Sequence, residues 1–334
     1  MMPKITVLMA EHNTNKEFLI ESIESVLNQT FEDFEFIIVD DQTNEDNRLI
    51  LSDYSARDKR VRIIKNESNL GLTASLNRGL EAAQSDYVAR MDSDDVCMKT
   101  RLQVQYNYMK NHKDVLVLGG LSRELGSNKI VLKPVNDFEI LKMRMLFYNC
   151  AMVHPTAFIN WGLLKKLGLK YDENISKSQD YMLWSQCMLS GKIEVLNTQV
   201  LFTRIHDNQI TKKYSDEQKA CSMLIQNSII QNYFGESMKE SDQILHYQII
   251  FGIIDNKIKK IEQHFLWLIE LNREKGVFRI SSFEKECCYI WLIMCIKASL
   301  YYKDFSWIKA KFTWKAITSV GFWTYYVKQI KNID

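Results

Sequence analysis

Apolar and polar positions alternate in blocks through the first half of the chain. Ile5-Thr6-Val7-Leu8-Met9-Ala10 is a short apolar run of the kind that forms a buried strand. A polar stretch, Glu11 to Asn15, follows, and Phe18, Leu19, Ser22, Ile23, Val26 and Leu27 then recur at helical spacing, with Asn15 placed to cap the helix. Phe34 to Val39 predicts a second strand, ending in Asp40-Asp41. Helical sequence covers about 46–57, Val61 to Ile64 predicts a third strand, Asn69-Leu70-Gly71 a turn, and Thr73 to Gln84 a helix. Tyr87-Val88-Ala89-Arg90-Met91 is a further strand, and it stops in Asp92-Ser93-Asp94-Asp95. Strands alternating with helices predict a mostly parallel sheet covered on both faces, and ligands of such sheets gather at the carboxyl ends of the strands.

Two of these strands end in acidic residues on that edge. Three carboxylates within four residues repel one another unless a cation lies among them. Their hard oxygens suit Mg²⁺ or Mn²⁺. The same residues also fit a solvated turn capping the next helix.

The later chain carries a second set of polar groups. Asn149 to Thr156 leads into the apolar Ala157-Phe158-Ile159. Ser178-Gln179-Asp180 opens a helix running through Trp184, with Asp180 in its first turn, where the helix dipole favours a carboxylate whatever else it does. Val200 to His206 reads as a strand with a polar exit. From about Ser215 the strand signals fade, and helical patterns cover 221–234, 242–254, 257–273 and 283–297.

Composition narrows the classes. The 334 residues include 43 basic and 41 acidic side chains, a net charge of +2 that argues against wholesale nucleic-acid binding. Seven cysteines follow no ligand spacing, which suggests reduced thiols and a cytoplasmic setting. No stretch reads as a signal peptide or a spanning helix. The segment 288–334 interleaves four tryptophans with seven lysines against two aspartates. That composition suits peripheral contact with an anionic membrane face, and equally a homodimer or a cap packed on its own domain.

In combination, these elements resemble a family 2 inverting glycosyltransferase with the GT-A fold, of the bacterial surface-polysaccharide type. The resemblance rests on Ile5 to Asn13, Ser25-Val26-Leu27-Asn28-Gln29-Thr30 through Asp41, and Asn69-Leu70-Gly71 with Asn77 and Gly79. It continues through Ala89 to Asp95, His154-Pro155-Thr156, Gln179 to Trp184 and Arg204-Ile205-His206, and spans about the first 210 residues. It implies a catalytic domain over 1–214, with a nucleotide-sugar half to about 120 and an acceptor half beyond, followed by a helical region over 215–334. It implies a nucleotide-sugar donor, most simply a UDP-sugar, with Mn²⁺ or Mg²⁺ as cofactor. Asp41 would bind the uracil imide, with Ala10, Glu11, His12 and Asn69 around the base. Asp92, Ser93 and Arg204 would face the ribose and diphosphate. Asp94, with Asp92 and His206, would hold the metal, and Asp180 would be the catalytic base. The expected acceptor is a glycan or lipid-linked glycan at the inner face of the cell membrane. Two residues depart from the family's habit: Gln179 stands where Glu is frequent, and His12 where an aromatic ring is common. The motif of processive synthases is missing, which favours addition of one sugar. A nucleotidyltransferase would need a glycine-rich basic loop after the first strand, and Glu11 to Asn15 has neither glycine nor Lys or Arg. A non-catalytic sugar-nucleotide binding protein would have no need of Asp92, Asp94 and Asp180 together.

Overall fold

The computed structural model describes residues 2–148, 151–175, 177–206, 215–253 and 258–302. The chain divides into two compact units, one of residues 1–141 and 150–221, the other of 142–149 and 222–334.

The first unit is built on a sheet of eight strands. These are β1 (Ile5–Glu11), β2 (Phe34–Asp40), β3 (Val61–Lys65), β4 (Tyr87–Asp92), β5 (Val96–Cys97), β6 (Val115–Glu124), β7 (Phe158–Asn160) and β8 (Lys192–Thr203). They lie in the order β3-β2-β1-β4-β7-β6-β8-β5. The first four are parallel, as the sequence predicts, and β6 runs parallel to β8. β7 lies antiparallel between β4 and β6, and β5 pairs antiparallel with β8, so the sheet is mixed. β8 begins eight residues before the predicted strand and ends at Thr203, so Arg204 to His206 form a connection rather than strand.

Strand alternation splits the buried side chains between two faces. Ile5, Val7 and Met9 of β1, Phe36 and Ile38 of β2, and Ala89 and Met91 of β4 join the core that α1 (Lys16–Leu27), α2 (Glu45–Arg57) and α4 (Arg101–Asn111) cover. α3 (Leu72–Ala82) packs on β1 and β2 and buries Leu76 and Leu80. Asn15 caps α1, its side chain accepting from the backbone N–H groups of Glu17 and Phe18. Later in the chain come α5 (Phe138–Phe147), which begins in this unit and ends in the other, then α6 (Trp161–Lys166) and α7 (Gln179–Ser190), with a 3₁₀ turn at His154–Thr156.

The second unit is helical: α8 (Ser215–Phe234, which begins in the first unit), α9 (Glu240–Ile250), α10 (Ile258–Lys275) and α11 (Ile280–Tyr302). Phe265 and Trp291 meet edge to face, and Phe278 and Phe283 stack. Among the described residues, no helix is long and apolar enough to cross a membrane. Most of the lysine- and tryptophan-bearing segment, residues 303–334, lies outside the described residues.

Candidate active site at the carboxyl edge of the sheet

Parallel register brings the chemistry together. Ala10 of β1 lies level with Val39 of β2 and Asp92 of β4, and Glu11 lies level with Asp40. The residues that end these strands therefore share one edge.

Asp41, just past β2, is buried. Its Oδ1 accepts from Asn66 Nδ2 at 2.7 Å and from the Leu70 N–H at 2.7 Å, and its Oδ2 accepts from the Gly71 N–H at 2.8 Å. The carboxylate thus shapes the turn before α3. Gly71 has φ of 83°, a left-handed conformation that favours glycine there. His12 and Asn69 are exposed beside this turn. His12 Nδ1 lies 2.7 Å from the Asp41 carbonyl oxygen, so Nδ1 carries the proton and donates it. His12 Nε2 then accepts from Asn69 Nδ2 at 3.1 Å and Asn13 Nδ2 at 3.2 Å.

Asp40 and Glu11 turn inward. Asp40 Oδ1 accepts from the Thr43 N–H at 2.8 Å. Glu11 is wholly buried, and its Oε1 accepts from the Thr14 N–H at 3.0 Å, Thr43 Oγ1 at 3.2 Å and Asn47 Nδ2 at 2.8 Å. Glu11 therefore ties together the loops after β1 and β2 from beneath.

The acidic motif sits on a clamp. Ser22 Oγ donates to the Asp92 carbonyl at 2.8 Å, the Cys97 N–H donates to Ser25 Oγ at 2.9 Å, and Gln29 Nε2 donates to the Met98 carbonyl at 2.8 Å. Three polar residues of α1 and its exit thus fix the loop that carries Ser93 to Asp95. One ligand oxygen each from Asp92, Asp94 and Asp95 lie within 4.8 Å of one another, the one such group among the described residues able to hold a metal. Ser93 Oγ is 2.6 Å from Thr14 Oγ1. Burial pushes Asp95 well above the usual carboxylate range, and the charges of Asp92 and Asp94 add to it. Asp92 is raised as well, first by burial and then by Asp94 and Asp180, while Arg90 opposes the rise.

The connection after β8 reaches the same motif. The Arg204 N–H donates to Asp95 Oδ1 at 2.9 Å and its Nε to the Asp94 carbonyl at 2.9 Å, while the guanidinium pairs with Glu21 and lies 4.0 Å from the Phe18 ring centroid. His206 Nε2 lies 2.8 Å from Asp94 Oδ2.

Asp180 stands in the first turn of α7, where the backbone N–H groups of Tyr181 and of Asp180 itself favour its ionised form. Burial nonetheless lifts its proton affinity above the usual range. The loop leading to it is held by α3: Asn77 Nδ2 donates to the Tyr171 carbonyl at 2.9 Å, and Asn77 Oδ1 accepts from the Tyr171 N–H at 3.2 Å. Tyr171 Oη in turn lies 2.8 Å from His154 Nε2. Asp180 is near enough to Asp92 for its charge to raise that carboxyl, and the strand ends bring Ala10, Glu11, Asp41 and Asp92 to one edge. No local pattern singles out Asn66, Thr14, Tyr171 or Arg90. Arg90 alone leaves a signal, a charged residue inside an apolar strand.

Known proteins bear on this arrangement. The sequence model of Glycosyl transferase family 2 matches residues 6–167. An uncharacterised glycosyltransferase of Methanocaldococcus jannaschii is 36% identical over 217 residues, 63% of this chain and 74% of the relative. The Escherichia coli enzyme WfgD, a UDP-Glc:alpha-D-GlcNAc-diphosphoundecaprenol beta-1,3-glucosyltransferase, is 24% identical over 257 residues, covering 77% of this chain and 89% of that enzyme. The crystal structure of Staphylococcus aureus TarS residues 1–349 with UDP-GlcNAc superposes with a TM-score of 0.60 at 16% identity, over 90% of this chain and 92% of that one, a likeness of fold. The mixed sheet with helices on its faces is the GT-A fold, and the chain belongs to glycosyltransferase family 2.

Proposed function

We propose that this glycosyltransferase moves one sugar, with inversion, from a UDP-sugar to a hydroxyl of a glycan or lipid-linked glycan during surface-polysaccharide synthesis, and that it needs a divalent metal. The observation that carries the reading is the meeting of Asp92, Asp94 and Asp95 at the end of β4 with Asp41 on one side and Asp180 within electrostatic reach. WfgD by its name uses a UDP-sugar on a lipid-linked acceptor, and TarS has been crystallised with UDP and with UDP-GlcNAc, which supports the choice of donor.

Three clustered carboxylates, two of them resisting ionisation, fit a hard divalent cation. Asp94 and Asp92 would hold it, with His206 beside Asp94. When bound, Mn²⁺ or Mg²⁺ supplies charge neutralisation for the departing diphosphate. Asp41 has an acceptor position left for the imide N–H of uracil, since a carboxylate offers roughly four and three are used. Ala10, Glu11, His12 and Asn69 shape the base pocket, Glu11 from beneath. Ser93 and Arg204 border the ribose and diphosphate. Asp180 takes the proton of the acceptor hydroxyl as its oxygen bonds to the anomeric carbon, and the bond from that carbon to the diphosphate breaks on the opposite face. The raised proton affinity of Asp180 suits it to that task.

The test is a panel of nucleotide sugars, followed by transfer and calorimetry, with and without Mn²⁺. Metal-dependent affinity for one uridine diphosphate sugar is expected. Tight binding of a different nucleotide, or binding indifferent to chelator, would overturn the donor or the metal assignment respectively.

A further inference from the structure

Arg90 is 2% exposed in the middle of the sheet. Its backbone is locked on both sides: the N–H donates to the Ala157 carbonyl at 2.9 Å, and the carbonyl accepts from Arg101 Nη2 at 2.7 Å. One guanidinium nitrogen, Nη2, pairs with Asp92 Oδ1. Nε and Nη1 are buried and have no hydrogen-bond partner among the described residues. A buried cation with one partner and two bare N–H groups is costly, and an apolar side chain in its place is often no less stable. Packing therefore does not account for it.

Its surroundings do. Its guanidinium is paired with Asp92, whose ligand oxygen lies within 4.8 Å of those of Asp94 and Asp95, and its charge reaches Asp180 and the buried His154. These groups come from the end of β4, the loop after it, the start of α7 and the 3₁₀ turn. One guanidinium thus lies at the inner junction of the donor-side and base-side residues.

We propose that Arg90 is a positioning residue for sugar transfer: it holds the Asp92 carboxylate by Oδ1 and supplies, from within the sheet, the positive charge that Asp92, Asp95 and Asp180 share. The inference rests on the roles given to Asp92 and Asp180 above. Arg90 itself touches neither donor nor acceptor.

Arg90→Met and Arg90→Lys are compared with the parent for fold, UDP affinity with Mn²⁺, transfer kinetics and crystal structure. Arg90→Met should fold, lose about tenfold or more in UDP affinity and about 100-fold in kcat. Arg90→Lys keeps the charge without the fork and should recover at least about tenfold of the lost kcat, which a packing role would not allow. Arg90→Met within about threefold of the parent in both quantities, or Arg90→Lys no better than Arg90→Met, overturns the proposal. If the parent itself neither binds UDP nor transfers sugar, the proposed function fails. The crystal structures then decide on Arg90 alone: Asp92 displaced in Arg90→Met upholds its role, and Asp92 unmoved refutes it. Should Arg90→Met not fold, Arg90→Lys is measured with and without Asp92→Asn. A cost that vanishes beside Asp92→Asn supports action through Asp92, and an undiminished cost overturns it.

Discussion

Asp41→Asn isolates a carboxylate with two tasks. In the parent, Oδ1 serves Asn66 and Leu70 while Oδ2 serves Gly71. An asparagine that keeps its oxygen in the Oδ1 place retains two of these bonds and points its NH₂ at the Gly71 N–H. The flipped amide loses two bonds instead. Hydrogen bonds to a charged group contribute about 1.5–3 kcal/mol each, against about 1 for neutral ones. One bond lost at the half-buried Gly71, and two weakened from charged to neutral, come to about 3 kcal/mol. For a unit of this size that is roughly 6–12 °C in Tm. Asp53→Asn, at an exposed position whose side chain is 59% accessible, is the control and should stay within about 0.5 kcal/mol. The amide oxygen has no acceptor position left for a uracil imide, so UDP affinity should fall by about 10–100-fold as well. Urea denaturation gives the first quantity and calorimetry with UDP and Mn²⁺ the second. Parent-like stability would refute the hydrogen-bond accounting, and reduced stability with full UDP affinity would leave Asp41 as a loop tie and move the base elsewhere.

Three further outcomes are expected. Asp180→Asn keeps an acceptor for the Tyr181 N–H but cannot take a proton, so kcat should fall by about 10²–10⁴-fold with UDP affinity within about threefold; full activity would mean another base. In the helical unit, His246 Nδ1 lies 2.8 Å from His264 Nε2, and His246 Nε2 lies 3.0 Å from the Leu146 carbonyl oxygen. Burial lowers His246 to about 4 and takes His264 well below 6.5, so the folded state keeps both neutral while the unfolded chain takes up protons near pH 6.5. Their contribution to stability is therefore full above about pH 6.5 and lost as pH falls toward 4, at up to about 1.4 kcal/mol per pH unit for each histidine; His264→Gln should halve that slope, and a stability flat from pH 7.5 to 5 would contradict it. The lysine- and tryptophan-bearing tail should bring the protein to phosphatidylglycerol vesicles at low salt and release it at high salt; a dimer that stays off vesicles would favour packing instead.

The parallel half of the fold is legible in the sequence because each strand there is a short apolar run closed by a polar loop. Asn15 announces α1, and its side chain does cap it. β6 is hidden for a physical reason. Gly-Gly is a dipeptide that usually marks a turn, yet Gly119 and Gly120 both lie inside the strand. A Cβ at Gly120 would come within 2.6 Å of Val200 Cγ2, and one at Gly119 within 3.0 Å of Met152 Cβ. Those neighbours are more than thirty residues away in sequence, so no local pattern reports them. The role of the Ser25 to Thr30 stretch is equally nonlocal. Its serine and glutamine hold the backbone after β4, which periodicity cannot tell from ordinary helix surface. Asp40-Asp41 looks like one acidic pair in sequence, but strand alternation sends Asp40 to a cap at Thr43 and Asp41 to the turn before α3.

These contacts change what donor binding means on the proposed reading. Asp94 Oδ2 already meets His206, Asp41 meets the Leu70 and Gly71 amides, and Ser93 meets Thr14. The groups expected to take metal and diphosphate are held by protein partners, while Asp41 keeps one acceptor position beside the three it uses. Affinity is then a difference between bonds exchanged, which keeps it modest for either component alone. Metal without nucleotide must displace His206 or enlist it, and nucleotide without metal must bring two phosphates toward three carboxylates. Each relieves the obstacle to the other, so UDP and Mn²⁺ should strengthen one another's binding by the same factor, as linkage requires. The burial that raises Asp92 and Asp95 is the source of that coupling, because it makes their repulsion, and its relief by a cation, larger than on an open surface.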